Sequence, residues 1–180
     1  MKNFLKVCII AAGFVLYFNA NSFAVWDAAA WGGYIYDGEI DPGKYEFDGG
    51  QFGIKGHFNT TIVPSLLDFG VGAYYQKSKI KFDLTGSDNI TRTSVGLDAN
   101  LILELPVLPL HPYARGTWAF MDRIDGKSKN FKAYGVGLGL EFTFFPFIRV
   151  FGEYMYEKSN HENDVAYISR AVNFGLKLDF

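Results

Sequence analysis

The sequence predicts an all-β protein whose eight strands close into an antiparallel, up-and-down barrel. Its composition favours sheets over helices, because the chain contains 18 Phe, 11 Tyr and 20 Gly but only 3 Met. Beyond residue 24, no stretch approaches the roughly 18 consecutive apolar residues that a membrane-spanning helix needs. About eight segments instead alternate large apolar residues with small or polar ones, and a period of two indicates strands with two different faces.

The first residues have the pattern of a secretory leader. Lys2 and Lys6 precede an apolar run at 7–18, and the small residues Ser22 and Ala24 follow it. The run is shorter than a membrane-spanning helix, and small residues at these two spacings are typical of a cleavage site. The predicted domains are therefore a signal peptide over residues 1–24 and a barrel over residues 25–180.

The remaining chain divides into strands and connections of two kinds. Connections that contain proline are short, and the longer ones are polar and charged, as in outer-membrane barrels with short turns at one end and longer loops at the other. Proline lacks an N–H donor, so we expect none of the segment 106–112 to join a ladder. The register of the first strand stays open, because both of its faces carry aromatic and small residues. The predicted strands lie near 26–36, 50–62, 66–79, 94–105, 113–121, 131–144, 148–157 and 165–180, with polar loops at 37–49, 78–93, 122–130 and 157–164.

The fourth strand shows the two faces most clearly, since Leu97 and Leu101 alternate with Asp98 and Asn100. An unpaired backbone N–H or C=O costs several kcal/mol in hydrocarbon, so a sheet that spans a membrane has to close. In that case the apolar face contacts lipid, and the face rich in Gly, Ser, Asn and charge lines the lumen. A soluble sandwich with the apolar face inside is the alternative, because alternation alone does not say which face is buried.

The C-terminal residues also alternate and end on an aromatic side chain. This ending resembles the C-terminal strand signal of bacterial outer-membrane β-barrels, and the chain as a whole resembles the small OmpA/OmpX-like family. The resemblance implies a bacterial outer-membrane location, an eight-stranded transmembrane barrel without a periplasmic domain, and recognition by periplasmic chaperones and the barrel assembly machinery. The residues of the predicted assembly signal are Phe174, Leu176, Leu178 and Phe180.

The charged residues of the inner face are the candidate functional site. An eight-stranded barrel is only wide enough for its own side chains to fill, and charges held there have to be paired. We therefore predict a lumen plugged by ion pairs, and a gated narrow pore is the alternative. Lys55, Asp98 and Glu153 are placed near the middle. The predicted charges toward the periplasmic end are Asp68, Glu104, Arg115, Glu141, Arg149 and Lys177, with Asp179 as a further candidate.

Three functions are compatible with this barrel. The leading one is a structural or surface-interaction role in which four outer loops are displayed to an unidentified ligand. A narrow channel for small solutes is the second. A lipid A-modifying enzyme is the third, but Ser159 and His161 stand in the reverse order to the deacylase pattern and lie in a charged loop. We therefore predict that the protein is not an enzyme.

Composition also limits the partners. The net charge of −2 and the scattered basic residues indicate no nucleic-acid binding. His57, His111 and His161 are far apart and the single cysteine, Cys8, lies in the leader, so we expect neither a metal site nor another cofactor. The expected partners are outer-membrane lipids, whose phosphates the short basic stretch Lys77, Lys79 and Lys81 could contact.

Overall fold

The computed structural model describes residues 25–41, 45–64, 66–82, 89–105, 108–124, 132–145, 147–160 and 166–180, and within them it confirms a closed antiparallel barrel of eight strands. Every strand pairs with its neighbours in sequence, and β8 pairs with β1. In the part of the chain so described, no helix is long and apolar enough to cross a membrane. The predicted leader lies outside the described residues. The strands are β1 Val25–Asp41, β2 Tyr45–Val63, β3 Leu67–Phe82, β4 Ile90–Leu103, β5 Leu110–Ile124, β6 Lys132–Phe145, β7 Ile148–Asn160 and β8 Ala166–Asp179.

Pairing of the first and last strands closes the sheet. The ladder runs from Asp27 opposite Asp179 to Asp41 opposite Ala166, with one irregularity after Ile35. Two further hydrogen bonds extend it, because Phe180 N donates to Trp26 O at 2.7 Å and Trp26 N donates to Phe180 O at 3.2 Å. A closed ladder leaves no unpaired strand edge, which is the condition for placing a sheet in hydrocarbon.

The apolar face of the sheet points outward, so the soluble sandwich is excluded. Leu138 and Phe174 are each 68% exposed, whereas Asp98 and Lys177 are each 1% exposed in the lumen. The first strand follows the same rule, and its open register is resolved. The inward residues of β1 are Asp27, Ala29, Trp31 and Ile35, and its outward aromatic residues are Trp26, Tyr34 and Tyr36.

The strands extend further than the sequence predicted at the barrel end that carries the four polar connections, here called the loop end. The opposite end, which carries the start of β1 and the end of β8, is called the terminal end. The predicted loop 78–93, for example, is largely strand, because β3 continues to Phe82 and β4 begins at Ile90. The other three predicted loops are shortened in the same way. Polar residues remain in the ladder here because pairing satisfies the backbone whatever the side chains are.

The expectation that none of residues 106–112 joins a ladder was wrong for the last three. Leu110, His111 and Pro112 lie in β5 and pair with Phe142, Glu141 and Leu140 of β6. The β4 ladder on the other side of β5 starts only at Tyr113. Pro112 therefore sits where the strand has a single neighbour, and a missing N–H is tolerated at such an edge position.

A β-bulge in β5 changes which residues face inward. Val95 pairs with Met121 and Gly96 pairs with Ala119, so Phe120 is an extra residue without a partner on β4. Ala119 is buried before the bulge and Asp122 is buried after it. The alternation shifts by one residue between them, which the sequence pattern alone did not reveal.

Glycines on the inner face of β6 make room for large lumen residues. A Cβ atom on Gly139 would lie 2.4 Å from the ring of Tyr113, and one on Gly137 would lie 2.2 Å from the sulfur of Met155. Small residues here are therefore required by the width of the lumen and not by backbone conformation. They also explain why β6 alternates glycine with large outward residues.

We expect Gly139→Ala to lower the free energy of unfolding by about 1–3 kcal/mol, because the added methyl group displaces the Tyr113 ring from a filled interior. Gly116→Ala in β5 is the matched control, since nothing lies within 4 Å of its Cβ position. Urea titration of both variants in lipid vesicles, followed by tryptophan fluorescence, tests this. Equal stability of the two variants would contradict the account of the glycines.

Candidate functional site

The middle of the lumen is occupied by a layer of ion pairs centred on Arg115. Its Nε atom donates to Asp98 Oδ2 at 2.8 Å, and its Nη1 atom donates to Glu153 Oε1 at 2.5 Å. Lys55 Nζ lies 3.7 Å from Glu153 Oε2, and the Tyr113 hydroxyl donates to that same oxygen at 2.9 Å. All five side chains are buried. The two carboxylates thus serve two cations, so no charge in this layer lacks an opposite partner.

A buried histidine extends the central layer toward the terminal end. His57 Nδ1 lies 2.8 Å from Asp27 Oδ1, and His57 Nε2 lies 3.0 Å from Asp98 Oδ1. The imidazole thus lies between two carboxylates that would otherwise repel each other, and a ring that carries N–H on both nitrogens would place a positive charge between them.

A second layer of charges lies at the terminal end. Lys177 pairs with Glu141, and Arg149 Nη1 lies 2.8 Å from Glu104 Oε1 and 3.3 Å from Glu141 Oε2. Arg149 Nε also lies 2.8 Å from Asp179 Oδ2. The arginine thus links strands on both sides of the barrel, and its side chain is partly accessible to solvent.

One of the predicted lumen charges lies elsewhere than expected, and another has the expected position but no ion pair. Arg115 was assigned to the terminal end but belongs to the central layer, because its long side chain reaches Asp98 and Glu153. Asp68 is only partly buried at the start of β3, and it forms no ion pair with any residue that the structure describes. The other predicted charges, Lys55, Asp98, Glu104, Glu141, Arg149, Glu153 and Lys177, all take part in the ion pairs of these two layers.

A third layer, at the loop end, was missed by the sequence reading. Arg92 Nε donates to Asp122 Oδ1 at 2.8 Å, and its Nη1 donates to Glu157 Oε2 at 2.7 Å. The Ser94 hydroxyl donates to Asp122 at 2.6 Å, and Gln76 Nε2 donates to Glu157 at 3.3 Å. Arg92, Asp122 and Glu157 were assigned to predicted loops or their edges. The unbroken alternation of β4 could have identified Arg92, whereas the β5 bulge concealed Asp122.

Aromatic residues separate and cover the charged layers. Lys55 Nζ lies 4.8 Å from the ring centroid of Phe151, and the Arg115 guanidinium carbon lies 4.9 Å from that of Trp31. Such cation–π contacts stabilise a desolvated cation in addition to its ion pair. Tyr74 and Tyr113 belong to this interior set as well.

The lumen is covered at the loop end by a group here called the loop-end apolar cluster. Phe47 and Tyr167 stack with their ring centroids 4.8 Å apart, and the Arg92 guanidinium carbon lies 4.4 Å from the Tyr167 ring. The cluster therefore lies directly against the third charged layer. Its buried members are Ile35, Phe47, Ile80, Tyr167 and Ala171.

The residues considered for chemistry do not form a site among the described residues. Ser159 points into the lumen from β7 and is buried, and His161 lies outside the described residues. Within the described ranges, no three or more His, Cys, Asp or Glu side chains are placed to hold a metal ion.

The predicted assembly signal lies on the outer surface of β8 at the terminal end. Phe174, Leu176 and Leu178 are exposed, and Phe180 is exposed just beyond the last residue of the strand. Together with the neighbouring strands they form a continuous apolar exterior.

This architecture, a charged lumen inside an apolar exterior, is that of the small eight-stranded outer-membrane β-barrels. No protein-family model matches the chain, and no curated protein matches it. Among solved structures, it is similar to Neisserial surface protein A, with a TM-score of 0.62, 19% identity, and coverage of 87% of this chain and 97% of that one. It is also similar to Ail of Yersinia pestis, the attachment invasion locus protein, with a TM-score of 0.50, 12% identity, and coverage of 87% and 100%. At these identities the likeness establishes a shared fold.

We expect Arg115→Met to lower the free energy of unfolding by about 3–5 kcal/mol, because it leaves two carboxylates in the lumen short of a cation. Arg170→Met is the matched control, since Arg170 forms an exposed ion pair with Asp37 that solvent screens. Urea titration in lipid vesicles measures both variants. A loss in Arg115→Met no larger than in the control would contradict the central role of this layer.

Proposed function

We propose that this protein is an integral barrel of the bacterial outer membrane, with a plugged lumen and a structural or surface-interaction role. In this orientation the terminal end faces the periplasm and the loop end faces the exterior, where four connections are displayed to an unidentified ligand. The proposal includes no enzymatic activity and no cofactor. The observation that carries it is the continuous filling of the lumen by paired charges and aromatic side chains.

The exterior supports membrane insertion. Outward residues along β6 are apolar from Tyr134 to Phe144, and outward aromatics also border the band on β1 and β5. The shortest strand, β7, has 13 residues, which exceeds the roughly 9–11 residues that a tilted strand needs to cross a bilayer. Aromatic residues near both edges of such a band are typical of the two membrane interfaces.

The interior supports a closed lumen. Three layers of ion pairs follow one another along the axis, and the loop-end apolar cluster covers the outermost one. A solute would have to separate buried pairs such as Arg115 with Glu153, and an unpaired buried charge is strongly unfavourable. The fold of an eight-stranded barrel leaves little room beside these side chains. These facts favour the plugged barrel over the narrow channel.

The position of Ser159 gives the lipid-modifying alternative no support. A nucleophile that acts on outer-leaflet lipid has to be reachable from the membrane or the exterior. Ser159 is instead buried on the lumen face of β7. We therefore keep the non-enzymatic proposal.

We expect the refolded mature protein to give no discrete conductance steps in a planar bilayer, because its buried ion pairs close the lumen. Heat-shifted gel mobility of the same preparation shows that the barrel is folded. Discrete, salt-dependent steps that change in Arg115→Ala or Glu141→Ala would contradict the plug and favour the channel.

Assembly partners follow from the terminal strand. We propose that periplasmic chaperones and the barrel assembly machinery read the outward residues Phe174, Leu176, Leu178 and Phe180. The position of Phe180 supports this, since its side chain is 72% exposed while its backbone pairs with Trp26. Its side chain therefore has no packing role inside the barrel.

We expect Phe180→Ala to reduce assembly into the outer membrane while leaving export to the periplasm intact, because the substitution removes the terminal aromatic and keeps the backbone pairing. Phe144→Ala is the matched control, an outward aromatic at the same end that is 65% exposed. Heat-shifted gel mobility of membrane fractions measures assembly. Equal yields from the two variants would contradict a specific role for the last residue.

A further inference from the structure

Outward-facing charges on β3, β5, β6 and β7 have one sign, and β4 between them carries no outward charge. Among the described residues of β3 to β7, each charged side chain on the outer surface is basic and lies toward the loop end. Carboxylates of the same strands face the lumen, where Asp98, Asp122, Glu141, Glu153 and Glu157 are all buried. The outward residues, here called the basic arc, are Lys77, Lys79, Lys81, Arg123, Lys132 and Lys158.

The basic arc begins directly above the apolar band. On β6, Lys132 lies two residues nearer the loop end than the outward Tyr134. On β7, Lys158 lies two residues nearer the loop end than Tyr156. On β3, Lys77 follows Tyr75. Two residues advance a strand by about 6.6 Å on the same face. Since outward tyrosines mark the membrane interface, the lysines lie at the level of the lipid headgroups.

Strand pairing places members of the arc in a row. Lys77 of β3 is opposite Thr93 of β4, which is opposite Arg123 of β5. Two strand spacings separate the two basic residues, a distance of about 10 Å. An anion placed between two cations at this spacing is attracted by both. The intervening threonine offers a hydroxyl that donates a hydrogen bond to such an anion.

The neighbouring strand β2 carries acids at the same level. Glu46 and Asp48 are exposed there, Asp48 lies opposite Lys81 of β3, and its carboxylate accepts a hydrogen bond from the Tyr34 hydroxyl at 2.7 Å. Beyond β1, the outward Arg170 of β8 is paired with Asp37. Among the described residues, the positive surface is therefore confined to an arc that is bordered by acids at β2, and it is not a general property of the rim.

We infer that the basic arc binds the phosphorylated headgroups of lipids in the leaflet at the loop end. The height of the lysines above the apolar band fits a membrane lipid, because a soluble polyanion would more readily reach the loop tips than this level. The long lysine side chains place their stems against acyl chains and their amines among the phosphates. The inference rests on the proposed outer-membrane location and names the lipid chemistry that contacts the barrel there.

The test compares two lipids that differ only in their phosphates. The folded barrel in zwitterionic detergent micelles is titrated with diphosphoryl lipid A and with dephosphorylated lipid A, and binding is measured by native mass spectrometry. The triple variant K77Q/K79Q/K158Q is expected to lose roughly 100-fold in apparent affinity for the phosphorylated lipid, at about fivefold per lysine near an anionic surface. The wild-type protein and the triple variant should bind the dephosphorylated lipid with the same affinity.

Matched controls separate charge from fold and lipid from soluble anion. The charge-conserving variant K77R/K79R/K158R should bind as the wild type does. Equal binding of the two lipids by wild-type protein, or a loss in the glutamine variant no greater than in the arginine variant, would overturn the inference. Equally tight binding of inositol hexakisphosphate without lipid would also overturn it. Failure of the chain to fold into a bilayer, seen as absent heat-shifted mobility, would instead contradict the proposed location itself.

Discussion

The pairing of β1 with β8 is the constraint on which the rest of the structure depends. A sheet in hydrocarbon cannot leave a strand edge unpaired, and eight strands close into a ring whose interior is only as wide as its side chains. Trp26 and Phe180 complete that closure at the terminal end through two backbone hydrogen bonds. Once the ring is closed, each inward residue has to fit against residues from the opposite wall, so volume and charge in the lumen are fixed together. The glycine at 139 beside the ring of Tyr113 shows the first of these conditions.

Carboxylates that each have several partners satisfy the requirement that charge in the lumen be balanced. Glu153 receives Arg115, Tyr113 and Asn173 as hydrogen-bond donors and lies within ion-pair distance of Lys55. Asp98 accepts Arg115 on one oxygen and faces His57 with the other. Because each acid has several partners on different strands, the pairs connect the walls of the barrel across the lumen. The low dielectric constant of the lumen strengthens the attraction between paired charges, but it also raises the free-energy cost of any unpaired charge. A network of this kind connects the walls of the barrel, and under the proposed function the same interactions oppose the passage of solutes.

Most of the fold could be predicted from alternation, because the two faces of each strand contact lipid and lumen. The same alternation predicted the residues of the central and terminal-end ion pairs. Arg115 was assigned to the wrong layer because its long side chain extends from its strand position into the next layer. The loop-end layer could not be predicted in full. Arg92 and Glu157 lie in polar segments that read as loops, and backbone pairing, which sequence hydropathy does not report, keeps them in strands. Asp122 faces inward only because of the bulge at Phe120. Pairing partners are likewise a property of the closed barrel, since residues such as Arg92 and Glu157 are far apart in sequence.

The bulge at Phe120 connects the interior to the exterior. Residues 113, 115, 117 and 119 face the lumen, so an unbroken β5 would turn position 123 inward and position 122 outward. Arg123 would then enter the lumen next to the strand that carries Arg92, and Asp122 would place a carboxylate within the basic arc. The single extra residue instead gives Arg92 an acid at 2.8 Å and gives the arc a sixth cation. One local irregularity thus supports both the neutral pairing of the lumen and the uniform charge of the outer surface. Charge sorting in this barrel therefore depends on register as much as on composition, because the same residues in the unshifted register would destabilise both faces.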